Sequence, residues 1–180
     1  MDLCAQDGMT DFVIETGRFG LRRPTPADAD WITIEISNEN VHRWLTGPPY
    51  PFNKSDALYW IEEQGPDCGI FIIQSDRPLG VVGVETINGD YDLGYWLRET
   101  AWGNGIMTEA AQAVVDWHFE NRIEDIHSGH LPRNHASRRI LETLGFRRRN
   151  LDMVHSPFYD REVEVQKLVL TRADWVLRNA

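Results

Sequence analysis

The chain has 180 residues, 42% of them hydrophobic, and a formal net charge of −10. That length suffices for one well-buried domain and is short for two. The acidic balance speaks against nucleic acid as the main ligand. No apolar run approaches the ~20 residues that span a membrane, so no membrane association is expected. The two cysteines, Cys4 and Cys68, make no disulfide framework, and no Cys/His cluster has zinc spacing, so no metal is expected. The first residues, MDLCAQDGMTD, lack the basic-then-apolar order of a secretory signal, and a cytoplasmic location is expected.

In chain order, residues 1–16 show little periodicity and read as a mobile tail, leaving 17–180 as a single domain. Arg18 to Arg23 alternates and reads as a strand. Thr25-Pro26-Ala27-Asp28 carries the signals of a helix start, and that helix runs towards Ser37 with Trp31, Ile32 and Ile36 inward. A short helical piece is expected over Glu39 to Leu45. Gly47, Pro48, Pro49 and Pro51 exclude regular structure from Thr46 to Phe52. Ser55-Asp56 reads as the cap of a further helix, stopped at Gly65-Pro66. Strands follow at Gly69–Gln74, Leu79–Thr86 and Asp92–Arg98, the last two joined by an Asn88-Gly89 hairpin turn. Ile123 to Leu131 reads as a strand, Asn134 to Leu144 as a helix with Ala136, Ile140, Leu141 and Leu144 inward. Phe146–Val154 and Val163–Leu170 read as the final strands. Thr171 to Asp174 has a capping-box pattern for a terminal turn of helix.

The organising stretch is Tyr91 to Asn121. Its first third alternates as a strand, and Ile106, Ala110, Ala113, Val114 and Trp117 recur at helical spacing. Between them lies Trp102-Gly103-Asn104-Gly105. Glycines there let a ligand approach the backbone, and the first N–H groups of a helix have no partner inside it. Such a terminus suits anions, phosphates above all. Thr108 occupies the place of the third glycine of a dinucleotide fingerprint, and no lysine supplies a nucleotide-hydrolase loop. A tight turn that binds nothing is the alternative reading of this stretch taken alone.

The order strand, glycine turn, helix, strand is followed by Asn134-x-x-Ser137-x-Arg139-Ile140-Leu141-Glu142-x-Leu144-Gly145-Phe146. Together these resemble the GCN5-related N-acetyltransferases. Gly94-Tyr95-Trp96-Leu97 with Trp102-Gly103-Asn104-Gly105-x-x-Thr108-Glu109-Ala110 is similar to the branch that includes the ribosomal-protein acetyltransferases RimJ and RimL. The resemblance spans roughly Arg18 to Leu170. It implies an α/β fold with a mixed, mostly antiparallel sheet of about seven strands. A parallel central pair would splay around the cofactor, and about four helices would flank the sheet. It also implies acetyl-coenzyme A as cosubstrate and a primary amine as acceptor, on a protein N-terminus or a small molecule. Transfer would proceed by direct attack in a ternary complex, and dimers are common in the family.

By the same resemblance, the N–H groups of Gly103, Asn104, Gly105 and Ile106 would hold the pyrophosphate, with Trp102, Met107 and Thr108 completing the turn. Tyr95, Trp96, Leu97 and Arg98 would line the pantetheine arm, and Asn134 would meet it from the other side. Arg139 would reach a phosphate or remain a solvated helix residue. Leu141 occupies the place of the tyrosine that many relatives use to protonate the leaving thiolate, which makes Ser137 the replacement candidate. Thr100 stands where many relatives have Gln or Arg. Asp92 and Glu85 are the candidate bases, or else ordinary strand carboxylates; His127 and His130 read as structural. The aromatic segments Trp44–Phe52 and Met153–Arg161 are the expected acceptor walls, with Trp44, Tyr50, Phe52 and Phe158 as contacts. The competing function is a coenzyme-A-binding sensor or interaction module without catalysis.

Overall fold

The computed structural model describes residues 12–64 and 69–180. Cys4, Cys68, residues 1–11 of the expected tail and the Gly65-Pro66 helix stop lie outside the described residues. The strands are β1 (Phe12–Glu15), β2 (Gly20–Arg22), β3 (Gly69–Gln74), β4 (Pro78–Ile87), β5 (Asp90–Leu97), β6 (Ile126–His130), β7 (Arg147–Ser156) and β8 (Arg161–Leu170). The helices are α1 (Ala29–Ile36), α2 (Glu39–His42), α3 (Lys54–Glu62), α4 (Ile106–Asn121), α5 (His135–Leu144) and α6 (Arg172–Asn179). The strands form one sheet in the order β1-β2-β3-β4-β5-β6-β8-β7. Every neighbouring pair is antiparallel except β5 and β6, which α4 connects as a crossover and which run parallel. Eight strands and six helices thus stand among the described residues, where about seven and about four were expected.

The extra strand corrects the tail reading over residues 12–15. Phe12–Glu15 pairs with β2, with an irregularity between Phe12 and Ile14. Four residues interrupted in register are too few to show alternation. A second correction concerns the start of α3. Its cap is Asn53, whose side chain accepts from the N–H groups of Ser55 and Asp56, while the Asp56 carboxylate accepts from the Asn53 N–H. This reciprocal pair satisfies donors that the first turn leaves unmatched. A third is Ala136, which is exposed; Leu141 and Leu144 carry the buried face of α5.

Two apolar layers cover the sheet. On one face Leu21, Phe71, Val82, Leu93 and Leu97 pack with Ala110, Val114 and Phe119 of α4 and Leu141 of α5. On the other, Ile70, Ile72 and Val81 pack with Ile32 and Ile36 of α1 and Ala57 and Ile61 of α3. Covering on both faces explains why β3 reads as an unbroken apolar run, Gly-Ile-Phe-Ile-Ile. Phe71, fully buried, contributes on the order of 1.5–3 kcal/mol relative to an exposed ring. The chain entering α1 is fixed by buried Asp28. Its carboxylate accepts from both Arg22 terminal nitrogens at 2.6 and 2.8 Å, from the Trp31 indole at 2.7 Å and from the Thr25 N–H at 2.8 Å. Burial alone raises its pKa, but these donors outweigh burial and hold it below the usual carboxylate value.

The parallel pairing is short. β5 and β6 are in register only at Tyr91↔Ile126 and Asp92↔His127. One residue further, the Ser128 hydroxyl donates to the Leu93 carbonyl at 2.8 Å. A side chain has replaced the ladder, and beyond it the strands part. α4 starts at the open end of this gap and α5 flanks it.

Candidate functional site

The turn from β5 into α4 is folded by its own side chains. The Trp102 indole donates to the Leu97 carbonyl at 3.0 Å, and the Asn104 amide donates to the Trp102 carbonyl at 3.0 Å. Gly103 and Gly105 have φ of 77° and 70°, the left-handed region that a side chain disfavours. A Cβ built at Gly103 meets nothing within 4 Å, and one at Gly105 meets only an Arg18 nitrogen at 3.8 Å. Gly105 is the N-cap of α4 and supplies no side-chain cap. The first-turn N–H groups, at Ile106, Met107 and Thr108, therefore have no side-chain cap and no partner inside the helix. Met107 is buried and offers only its backbone there. The arrangement fits a diphosphate held by backbone donors and by the positive end of a 16-residue helix.

Arg18 was not among the residues singled out from sequence. Its Nε donates to Glu109 Oε2 at 2.6 Å and its Nη1 to the Asn104 carbonyl at 2.9 Å. Burial raises the Glu109 pKa, but hydrogen bonds from Thr16 and Arg18 and the Arg18 charge bring it below the ordinary value. Glu109 therefore stays anionic beside the guanidinium.

The edge of β5 that faces the gap follows from alternation. The Arg98 N–H donates to the Leu79 carbonyl on β4 at 2.9 Å. The carbonyls of Leu93 and Leu97 accept instead from Ser128 and Trp102, away from β4. Peptide directions alternate along a strand. Leu93, Tyr95 and Leu97 thus turn their backbone groups to the gap, while Trp96 and Arg98 bond to β4. This narrows the expected run. The Trp96 ring lies 5.6 Å from that of Trp31, in the second apolar layer. The Arg98 guanidinium forms a half-buried ion pair with Glu35 of α1. Arg98 is corrected from a cofactor contact to a strut between β5 and α1, because both its backbone and its charge are engaged there.

Across the gap, the Asn134 side chain accepts from the Ser137 N–H at 3.0 Å and so caps α5. Its amide NH2 is the group left to meet a ligand. Ser137 Oγ lies 2.9 Å from the Tyr95 phenol oxygen. Burial drives the Tyr95 pKa far up, against the smaller opposing effect of the Ser137 contact, so the phenol keeps its proton. Arg139 is exposed on α5.

The two carboxylates sit on the other face of the sheet. Glu85 and Asp92 are directly opposite in the β4–β5 register, and Asp92 pairs with His127 of β6. Desolvation raises the Asp92 pKa; Lys167 and His127 oppose it, Asp90 adds to it, and the result is a raised value. Glu85 is raised by desolvation and by the Asp92 charge. Like charges act reciprocally, so each carboxylate makes the other harder to ionise.

The two aromatic segments meet. The Tyr50 and Phe158 rings are 4.8 Å apart, edge to face, and Phe158 touches Tyr159 in the same way at 4.9 Å. His42, fully buried, completes a triangle with them, 5.0 Å from the Tyr50 ring and 6.0 Å from that of Phe158. Its Nδ1 contacts the Ile36 carbonyl at 3.1 Å, and the Pro48 backbone also acts on the ring. Burial lowers its pKa, so the ring is neutral. His42 and Tyr159 were missed because neither carries a motif. Tyr50 is 38% exposed, and its hydroxyl donates to Glu39 at 3.3 Å. Trp44 is half-buried with the Arg43 guanidinium over its ring. Phe52 is corrected: at 8% exposure it belongs to the layer under α1 and α3 and presents no wall.

Comparison with known proteins follows the same outline. The acetyltransferase (GNAT) domain family matches residues 18–147. The probable N-acetyltransferase YjcK of Bacillus subtilis (strain 168) is 40% identical over 88 residues, 46% of this chain and 49% of that protein, so the match spans about half of that relative. The structure of ribosomal-protein-S5-alanine acetyltransferase from Vibrio fischeri is similar with a TM-score of 0.76 at 19% identity, covering 92% of this chain and 99% of that one. RimL, the ribosomal L7/L12 alpha-N-protein acetyltransferase solved in complex with coenzyme A, is similar with a TM-score of 0.73 at 16% identity, over 89% of this chain and 98% of that one. These likenesses establish a shared fold, and the chain belongs to the GNAT acetyltransferase family.

Proposed function

We propose that this chain is an N-acetyltransferase that moves an acetyl group from acetyl-coenzyme A to a primary amine. The observation that carries the reading is the uncapped start of α4 behind Gly103 and Gly105, beside a parallel strand pair that parts after two residues. In this reading the backbone of the turn binds the pyrophosphate. The Tyr95 and Leu97 peptide groups and the Asn134 amide flank the pantetheine arm. When bound, acetyl-coenzyme A supplies an activated acyl group, its thioester.

The chain's own residues then handle protons on two faces. On one, the Asp92–Glu85 pair receives a proton from the attacking ammonium or amine, directly or through water; a raised carboxylate pKa brings base and amine closer in strength. On the other, Ser137 faces the departing sulfur. A coenzyme A thiol has a pKa near the ~8.5 of a free thiol, far below that of the buried Tyr95 phenol. Full transfer from the phenol to the thiolate is therefore uphill. In this reading the role is hydrogen bonding: with Tyr95 as the donor to Ser137 Oγ, Ser137 is free to turn its own proton towards the sulfur.

The Tyr50–Phe158 contact forms the acceptor side, which suits a peptide N-terminus or a small amine. Two separate proton-handling pairs favour an enzyme over a binding module without catalysis. The test is calorimetric titration with acetyl-coenzyme A, followed by release of free thiol across a panel of peptide and small-molecule amines. Tight binding with no turnover on any amine would leave the module reading standing.

A further inference from the structure

We infer that Arg18 is a positioning residue for coenzyme A: it aims the glycine turn at the pyrophosphate by holding the Asn104 carbonyl. The inference rests on the reading that this turn binds the pyrophosphate.

The geometry is specific. A trans peptide is planar, so its C=O and N–H point in opposite directions. Tyr50-Pro51 is the cis peptide among the described residues, so the Asn104–Gly105 peptide is trans. Arg18 Nη1 donates to the Asn104 carbonyl at 2.9 Å. With that carbonyl pinned towards Arg18, the Gly105 N–H points the opposite way, away from the guanidinium nitrogen that holds the carbonyl. Gly105 follows this peptide with φ of 70°, and Gly103, one residue before Asn104, has φ of 77°. Glycine permits many other orientations of the peptide plane, so a fixed orientation needs an external restraint.

The restraint is itself anchored. Arg18 Nε donates to Glu109 Oε2 at 2.6 Å, and Glu109 lies in the first turn of α4. The guanidinium therefore ties the glycine turn to the helix whose N–H groups complete the same cradle. The planar fork presents Nε and Nη1 to the two acceptors in a fixed geometry, which an ammonium on a flexible stem does not preset. Arg18 comes from the segment before β2, outside the turn and helix motif.

The experiment compares two acyl donors in calorimetry and steady-state kinetics: acetyl-coenzyme A, and S-acetylpantetheine, which lacks the pyrophosphate. Arg18→Ala removes one restraining hydrogen bond and should weaken acetyl-coenzyme A by roughly tenfold in Kd and KM. S-acetylpantetheine kinetics, kcat with saturating acetyl-coenzyme A and the melting temperature should be unchanged. Arg18→Lys keeps the charge but loses the fork, and should keep most of the defect. Full recovery by lysine would mean that the charge acts on the phosphate itself, and would overturn the positioning role. So would an unchanged Kd in Arg18→Ala, or equal loss for both donors. If the wild-type protein itself binds acetyl-coenzyme A no better than S-acetylpantetheine, the pyrophosphate reading has failed and this inference falls with it.

Discussion

The proposed donor side and the proposed acceptor side of this site are built differently. The donor side consists of backbone: the gap-facing edge of β5, the glycine turn and the uncapped start of α4. Side chains such as Trp102, Asn104 and Arg18 serve there to fold the backbone. The acceptor side consists of side chains, the rings of His42, Tyr50, Phe158 and Tyr159 from two distant segments. Backbone recognition demands particular glycines at particular spacing and tolerates little change. Ring walls demand only apolar faces, which many sequences provide. A family can therefore keep one donor while its members take different amines.

The comparison is broken first at the base. Asp92→Asn keeps the shape of the strand and removes the proton acceptor. General-base catalysis is worth about 10²–10⁴-fold, so kcat should fall by at least ~100-fold while the Kd for acetyl-coenzyme A, measured without acceptor, stays put. A fall in donor affinity of similar size would place Asp92 on the donor side.

The next effect separates wall from core among the loop aromatics. Phe52→Ala empties a position in the layer under α1 and α3 and should cost about 3–5 kcal/mol of folding stability, read by chemical denaturation. Tyr50→Ala and Phe158→Ala should barely change stability and should instead cost ~1–3 kcal/mol of discrimination among amines. If Phe52→Ala leaves stability intact and changes amine preference, the ring is a wall after all.

Those two residues show what a single sequence yields. Strand β5, the glycine turn and α4 were legible because local rules govern them: alternation, conformational freedom at glycine and helical spacing. β3 was legible because a strand covered on both faces has no polar positions. The placement of Phe52 was not, since an aromatic in a proline-rich loop serves a core and a wall equally well. Arg98 reads like a cofactor contact until α1 brings Glu35 to it. Arg18 is 86 residues from the carbonyl it holds, and Tyr95 is 42 from Ser137. Local pattern carries no information about such pairs. β1 was missed for a different reason, being too short for its period to register.

A smaller effect tests the two hydroxyls. Tyr95→Phe removes only the phenol oxygen, and kcat should drop by roughly tenfold with little change in KM, the loss expected for one hydrogen bond made chiefly in the transition state. In a Ser137→Ala background the same change should do nothing further, because Tyr95 acts through Ser137. Full additivity of the two losses would separate them.

The smallest effect concerns pH, where two carboxylate groups of the molecule behave oppositely. Asp28 is held below the ordinary range by its donors. Its contribution to stability is therefore present above the unfolded carboxylate pKa and is lost as pH falls through the folded value, which makes it part of the acid unfolding limb. Glu85 and Asp92 are raised. For a raised carboxylate the folded state holds the proton more tightly than the unfolded state. Stability is then greatest below the unfolded pKa and declines as pH rises through the folded value. Catalysis has the opposite preference, because the base must be ionised. The rate should climb with pH through the raised pKa of the pair and level off above it. Glu85→Gln removes the neighbouring negative charge, so Asp92 ionises more easily. The acid limb of kcat/KM should move to lower pH, the plateau should hold, and stability at neutral pH should rise slightly. A limb that stays in place while the plateau collapses would make Glu85, not Asp92, the group that takes the proton.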